Sequence, residues 1–413
     1  MFSYIFQFVN IAVALLTVPL LLRHLTTHEY GLWLLFSATC GATVQVQSAI
    51  LGVSTKEIAN AYHRGSRGDF LDALAKARRS YLMLSAFVGG PLLFAAAVYF
   101  LLTYRADAYD LGAWALLAGS YALVYFFAPN NAVLLATDRI DVNNAISTAT
   151  RLIYFGGNWV LLMAGFSILA PCIALAASSI VGVIANTFAA HRRVVEVAAK
   201  TPDGPSSPVL GSIRRYVVYA FSSFMLYNGA LLVVAPMFPA DAASYGLALQ
   251  TSTLISTVAL VPLQLYLGRI VRAQGFEDEA RELKRALVVC NLLFATGYAG
   301  LILIAPALLA YIDSQVLLPP ASLLLLMYLA FCVEVNIFVL VNHLTAKGDY
   351  GFANRYASVA VIALSVGVLS AWLFGILWLG FLLIPMAFQI LFNVSYIVRR
   401  VIIRMHAVRT HNV

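Results

Sequence analysis

Asn144, Thr148, Arg151, Phe155 and Asn158 recur at spacings of four, three, four and three inside strongly apolar sequence. On a helix those spacings gather them on one face. At about 1.5 Å per residue the stripe is about 21 Å long, most of a bilayer core of about 30 Å. An arginine at mid-membrane costs at least about 2.5 kcal/mol, so Arg151 should face a protein interior or a water-filled cavity rather than lipid. Its guanidinium suits bidentate recognition of phosphate, which points to an anionic substrate held by Arg151 with Asn144 and Asn158 beside it. The competing reading is a snorkelling arginine whose head reaches the membrane interface.

Glu334 lies about thirteen residues into another apolar run, near mid-membrane. A carboxylate at that depth either couples to a proton or cation or is bonded to a neighbouring helix. Asn336 and His343 lie on a roughly opposite face of the same helix and read as bonds between helices rather than as one site with Glu334. Arg23 ends the first apolar run and is read as a cation at the outer mouth; His24 and His28 after it make a weak metal pair, and no metal site is expected. Pro129-Asn130-Asn131 interrupts a fourth apolar run, and Asn130 is taken as a further substrate contact at that break.

These residues need helices to position them. With 62% hydrophobic and 11% charged residues, the chain reads as a multi-span helical membrane protein. A membrane β-barrel would show short alternating segments instead. The four cysteines fall in apolar runs without paired spacing and read as packing residues. Twelve spans are expected, at 4–22, 31–52, 81–103, 111–137, 142–165, 170–190, 216–239, 244–268, 286–312, 321–345, 352–375 and 378–398, the first being a retained span rather than a signal peptide.

Counting Lys and Arg by loop tests the orientation. One set of loops holds 24 of the 26 basic residues when Arg151 is included, and the other holds only Arg23 and Arg105. The basic side is therefore expected to be cytoplasmic, with both termini there. The net charge of +8 follows from that asymmetry and from attraction to anionic lipids, not from nucleic-acid binding.

Loops on the opposite side are too short for a folded domain, whereas the basic side carries longer stretches at 53–80 and 191–215. The second contains the breaker-rich run 201–208 and divides the chain. The expected organisation is a six-helix bundle over 1–190, a linker over 191–215, a second bundle over 216–398 and a basic tail over 399–413. Tyr30-Gly31-Leu32 and Tyr245-Gly246-Leu247 open the second and eighth spans, and Ala136 and Asn144 recur as Ala346 and Asn354. These pairs predict parallel six-helix repeats of a kind many transporters use. No nucleotide-binding loop, zinc-protease motif or nucleophile elbow is present, and neither enzymatic activity nor a cofactor is expected.

The run Leu21 to Trp33, with Arg23, Leu25 and Glu29-Tyr30-Gly31, resembles the first outer turn of Wzx-type polysaccharide (O-antigen) flippases. The basic second loop and the Ala136–Asn144 turn with its copy also look like this family. The resemblance implies the multidrug/oligosaccharidyl-lipid/polysaccharide exporter superfamily: an all-α polytopic membrane protein with twelve transmembrane helices in two six-helix bundles around a central cavity. It implies a flippase of the bacterial inner membrane that moves an undecaprenyl-pyrophosphate-linked glycan to the outer leaflet by alternating access. It also implies partners in the polysaccharide polymerase and glycosyltransferases of the same pathway. The alternatives are a multidrug or cation antiporter of the same superfamily, and a polytopic polymerase or acyltransferase.

Overall fold

The computed structural model describes residues 2–64, 67–200, 213–272, 275–347 and 349–411, and among these there is helix and no strand. Twelve helical segments follow one another. The first six are α1 (Phe2–His24), α2 (Thr27–Arg64), α3 (Arg67–Tyr104), α4 (Ala108–Phe127 with Pro129–Ala136), α5 (Ile140–Met163) and α6 (Leu169–Lys200). The second six are α7 (Ile213–Tyr227 with Leu231–Met237), α8 (Pro239–Ala259 with Leu263–Arg272), α9 (Phe276–Tyr311), α10 (Ala321–Ala346), α11 (Ala353–Phe374) and α12 (Leu379–Met405). Each expected span coincides with one helix. Among the described residues nine of the twelve are long and apolar enough to cross a membrane. The chain divides into two compact units, Met1–Ala220 and Phe221–Val413. The expected linker run 201–208 lies outside the described residues.

Two stretches expected outside the spans are largely helical. Within the stretch 53–80, α2 runs on to Arg64 and α3 begins at Arg67. Its apolar residues explain this: Ile58, Ala61, Phe70, Ala73, Leu74 and Ala77 are buried against Val133, Leu134 and Ala190, so the hairpin has its own core. The expected basic tail from 399 is helical too, in a helix that runs from Ser395 to His411.

Prolines break the helices where a turn can absorb the lost bond. Pro129 opens the second piece of α4, Pro262 sits in the break of α8, and Pro91 lies in a π-helical turn of α3. Pro385 separates two π-turns of α12, Leu379–Leu383 and Gln389–Val394, while Pro19 and Pro306 are carried within uninterrupted helix. Gly375 ends α11 in the left-handed region at φ +67°, which spares a side chain the strain there.

The internal repeat has a structural counterpart. Tyr30 and Leu32 in one unit, and Tyr245 and Leu247 in the other, are buried. At the basic end, Arg193 of α6 donates to the Thr137 carbonyl that closes α4 (3.3 Å). In the second unit Arg404 donates to the Lys347 carbonyl that closes α10 (3.4 Å). The two carbonyls lie 210 residues apart and the two arginines 211, so an arginine caps the equivalent helix C-terminus in both halves.

Candidate functional site

Within the first unit, α2, α4, α5 and α6 enclose a cavity of about 440 Å³. Each helix contributes at helical spacing, most regularly α6 with Leu175, Ser178, Ser179, Gly182, Val183 and Asn186. Small residues bring α5 and α6 together: a Cβ on Gly182 would lie 3.0 Å from the Thr150 methyl, and one on Gly157 would lie 3.2 Å from Ala174. Arg151 lines the cavity, with Ser147, Thr150 and Tyr154 of its own helix and Tyr121 and Asn131 of α4. Among the described residues that line it, Arg151 alone is charged. Two polar atoms of its walls are buried without a hydrogen-bond partner, the indole nitrogen of Trp33 and the amide oxygen of Asn186.

The predicted stripe does not stay together. Asn144 (8% exposed) and Asn158 (0%) are buried in packing and do not line the cavity; α5 packs closely on α1 as well as on α6. At about 100° per residue, the cavity face of α5, centred on Ser147 and Tyr154, is offset by roughly 50° from the line through Asn144 and Asn158. Arg151 lies on the line of the two asparagines, at the edge of the cavity face, and its long side chain reaches the cavity. Asn158 instead lies buried beside Tyr154. Asn130 is also reassigned, since its amide donates to Thr187 Oγ1 at 2.9 Å and so ties α4 to α6. Its neighbour Asn131 is the one that lines the cavity. Arg23 is exposed at the end of α1, away from this cavity.

The family-like turn around Glu29 has a structural explanation. Thr26 and Glu29 form a reciprocal cap on α2, with the Thr26 N–H donating to Glu29 Oε2 at 2.8 Å and the Glu29 N–H to Thr26 Oγ1 at 3.3 Å. Ser167 between α5 and α6 also bonds to Glu29, His28 stacks on Tyr104, and a Cβ on Gly31 would collide with the Tyr104 hydroxyl. These residues hold the turn. Trp33 alone of this run reaches the cavity.

In the second unit Glu334 of α10 is half-buried and held by a directed network. The Tyr356 hydroxyl of α11 lies 3.1 Å from both carboxylate oxygens. Gln389 of α12 donates to the Tyr356 oxygen at 3.0 Å, and Asn393 donates to Gln389 at 2.7 Å. Ser223 of α7 is a further hydrogen-bond partner of Glu334. Among the described residues no basic group forms an ion pair with it. Asn336 exchanges amide hydrogen bonds with Asn291 of α9 at 2.9 and 3.0 Å, and His343 meets Glu279 of α9 at 2.6 Å. Both tie α10 to α9, away from Glu334. Sequence reasoning missed Tyr356, Gln389 and Asn393; the i, i+4 amides in span twelve were the available signal.

At the basic end of this unit, Glu279 also pairs with Lys347 at 3.1 Å, and Asp349 takes two hydrogen bonds of 2.7 Å from Arg400. Burial pulls the Asp349 carboxyl upward, but Arg400 and the Gly351 N–H outweigh it and hold the group below its ordinary range. No group of metal-ligating side chains occurs among the described residues.

This architecture is found in solved transporters. An inward-facing multidrug resistance MATE family transporter of the MOP superfamily aligns with a TM-score of 0.66 at 12% identity, covering 98% of this chain and 96% of that one. An outward-facing one aligns with 0.63 at 14%, covering 98% and 95%. A MOP superfamily transporter from Pyrococcus furiosus, described as having a binding pocket of reverse polarity that suggests a different function, aligns with 0.53 at 13%, covering 96% of each chain. At such identities the likeness is one of fold: an all-helical, multi-pass membrane architecture of two six-helix units. No family model and no curated protein matches the sequence.

Proposed function

We propose that this chain is a membrane transporter that flips an anionic lipid-linked oligosaccharide, of the undecaprenyl-pyrophosphate type, from the inner to the outer leaflet by alternating access. The observation that carries the reading is the cavity of the first unit, where Arg151 is the one charged lining residue among those described. A lone guanidinium surrounded by hydroxyls, amides and aromatic rings fits a phosphate with a sugar attached. A lipophilic cation would be repelled there. Glu334 is the group that couples the cycle to a proton or cation. The unreacted lipid-linked glycan is both substrate and product, so no enzymatic step is invoked. The protein would sit in a bacterial inner membrane with its basic side and both termini in the cytoplasm, among anionic lipids, and would hand its cargo from glycosyltransferases to a polymerase.

A second reading, a multidrug exporter, is favoured by the likeness to solved multidrug MATE structures. The fold is not bound to one pocket polarity, as the Pyrococcus furiosus transporter is described. A leaflet-specific assay in vesicles separates the two readings. Wild-type protein should move a polyprenyl-pyrophosphate-linked sugar and should not confer drug resistance on cells. Drug resistance without movement of the glycolipid would overturn the flippase reading.

A further inference from the structure

We propose that Tyr356, backed by Gln389 and Asn393, is a positioning residue that sets how tightly Glu334 holds its proton. The inference rests on Glu334 being the coupling group and names what tunes it. The geometry is a one-way chain. Gln389 and Asn393 are 0% and 1% exposed, and Tyr356 is 1% exposed, so all three sit away from solvent. Asn393 donates to Gln389, Gln389 donates to the Tyr356 oxygen, and the Tyr356 hydroxyl is centred on both oxygens of Glu334. The Gln389 amide occupies a lone pair of the phenol oxygen, which leaves the phenol proton for the carboxylate. Every donor therefore points toward Glu334, and such a chain favours the anionic form of the acid.

The π-helical turn Gln389–Val394 supports the same conclusion. A π-turn holds about 4.4 residues, so Gln389 and Asn393 fall nearly in register on one side of α12, as their 2.7 Å bond requires. Among the described residues, the other groups that face Glu334 bear no charge: Tyr227 and Ser223 from α7, with Tyr245 of α8 beside Tyr227. On α9, Asn291 is engaged with Asn336 and Glu279 with His343 and Lys347. The donor chain is thus the main polar influence on the carboxylate.

The test reads protonation directly. Dicyclohexylcarbodiimide reacts with protonated carboxyls in apolar surroundings, so its labelling of Glu334 against pH can be followed by mass spectrometry on the full chain in lipid vesicles. Tyr356→Phe should move the labelling midpoint to higher pH by about one unit, a tenfold change in proton affinity. Gln389→Met should move it the same way by less, and Asn336→Ala, which does not touch Glu334, should leave it in place. An unchanged or lowered midpoint in Tyr356→Phe overturns the proposal; if that variant does not fold, an unchanged midpoint in Gln389→Met does so. The coupling reading fails separately. If the midpoint moves as stated but wild-type transport ignores an imposed pH gradient, the donor chain stands and coupling through Glu334 falls.

Discussion

The two units use one place in a repeated fold for opposite chemistry. Subtracting 210 from Glu334, Tyr356, Gln389 and Asn393 gives Val124, Ile146, Ser179 and Val183, all four of which line the cavity of the first unit. One unit leaves that place open and puts a cation in its wall. The other fills it with a carboxylate and a chain of donors. Adding 210 to Arg151 gives Val361, an exposed apolar residue, so the cation has no counterpart. The scaffold residues behave differently, since Tyr30 and Tyr245 are both buried and Arg193 and Arg404 cap equivalent helices. Duplication has kept the packing and let the chemistry diverge.

Breaking the asymmetry on its cationic side should have the largest effect. Arg151→Ala removes the one charge that the described lining residues offer to a phosphate and should lower translocation of a lipid-linked sugar a few hundredfold, about 3–4 kcal/mol. Arg151→Lys keeps the charge without the fork and should retain part of the rate. Leaflet-resolved transport in vesicles checks both, and wild-type rates in the Ala variant would remove Arg151 from the site.

On the anionic side, Glu334→Gln should cost the response to a driving gradient. A gradient of 100 mV supplies about 2.3 kcal/mol per proton, so accumulation should fall about fiftyfold while passive exchange continues. An unaltered gradient response in this variant would assign coupling elsewhere.

The remaining effects concern stability and sharpen how the second unit ties its basic end with acids. His343→Ala leaves Glu279, 1% exposed, with Lys347 as its remaining partner and should cost about 2 kcal/mol in thermal unfolding. A melting temperature equal to wild type would show the pair to be dispensable. Asp349→Asn should cost about 0.5–1 kcal/mol, because the Arg400 pair is partly solvated. Its folded carboxyl lies below the unfolded value of about 3.9, so the contribution is present above about pH 4 and fades as pH falls further. Wild type and variant should thus differ at neutral pH and converge in acid, and a difference that persists in acid would assign the loss to packing.

The helices were legible because apolar runs of membrane length leave few other structures, and all twelve fall where hydropathy placed them. The helical reach of α2 and α3 into 53–80 was not, because Ile58, Phe70 and Leu74 keep amphipathic spacing inside a charged stretch, easily read as loop. Arg151 and Glu334 stood out because charge is costly in lipid. Their partners did not. Asn144 and Asn158 share a helical face with Arg151, yet a turn of roughly 50° separates packing from cavity, and only the neighbouring helices fix that angle. Asn130 and Asn131 show the same limit at one residue's spacing: one bonds Thr187 and the other lines the cavity. The long-range links Tyr356–Glu334 and Gln389–Tyr356 depend on which helices are neighbours, information that spacing within one helix does not hold.

The most direct test of the account pits two cargoes against each other in the same vesicles. A polyprenyl-pyrophosphate-linked sugar and a lipophilic cationic dye would be followed across the bilayer with wild-type protein and with Arg151→Glu. The account predicts that wild type moves the anionic lipid and not the dye, and that reversing the charge stops the lipid. Movement of the dye by wild type, with the anionic lipid left in place in both proteins, would contradict it.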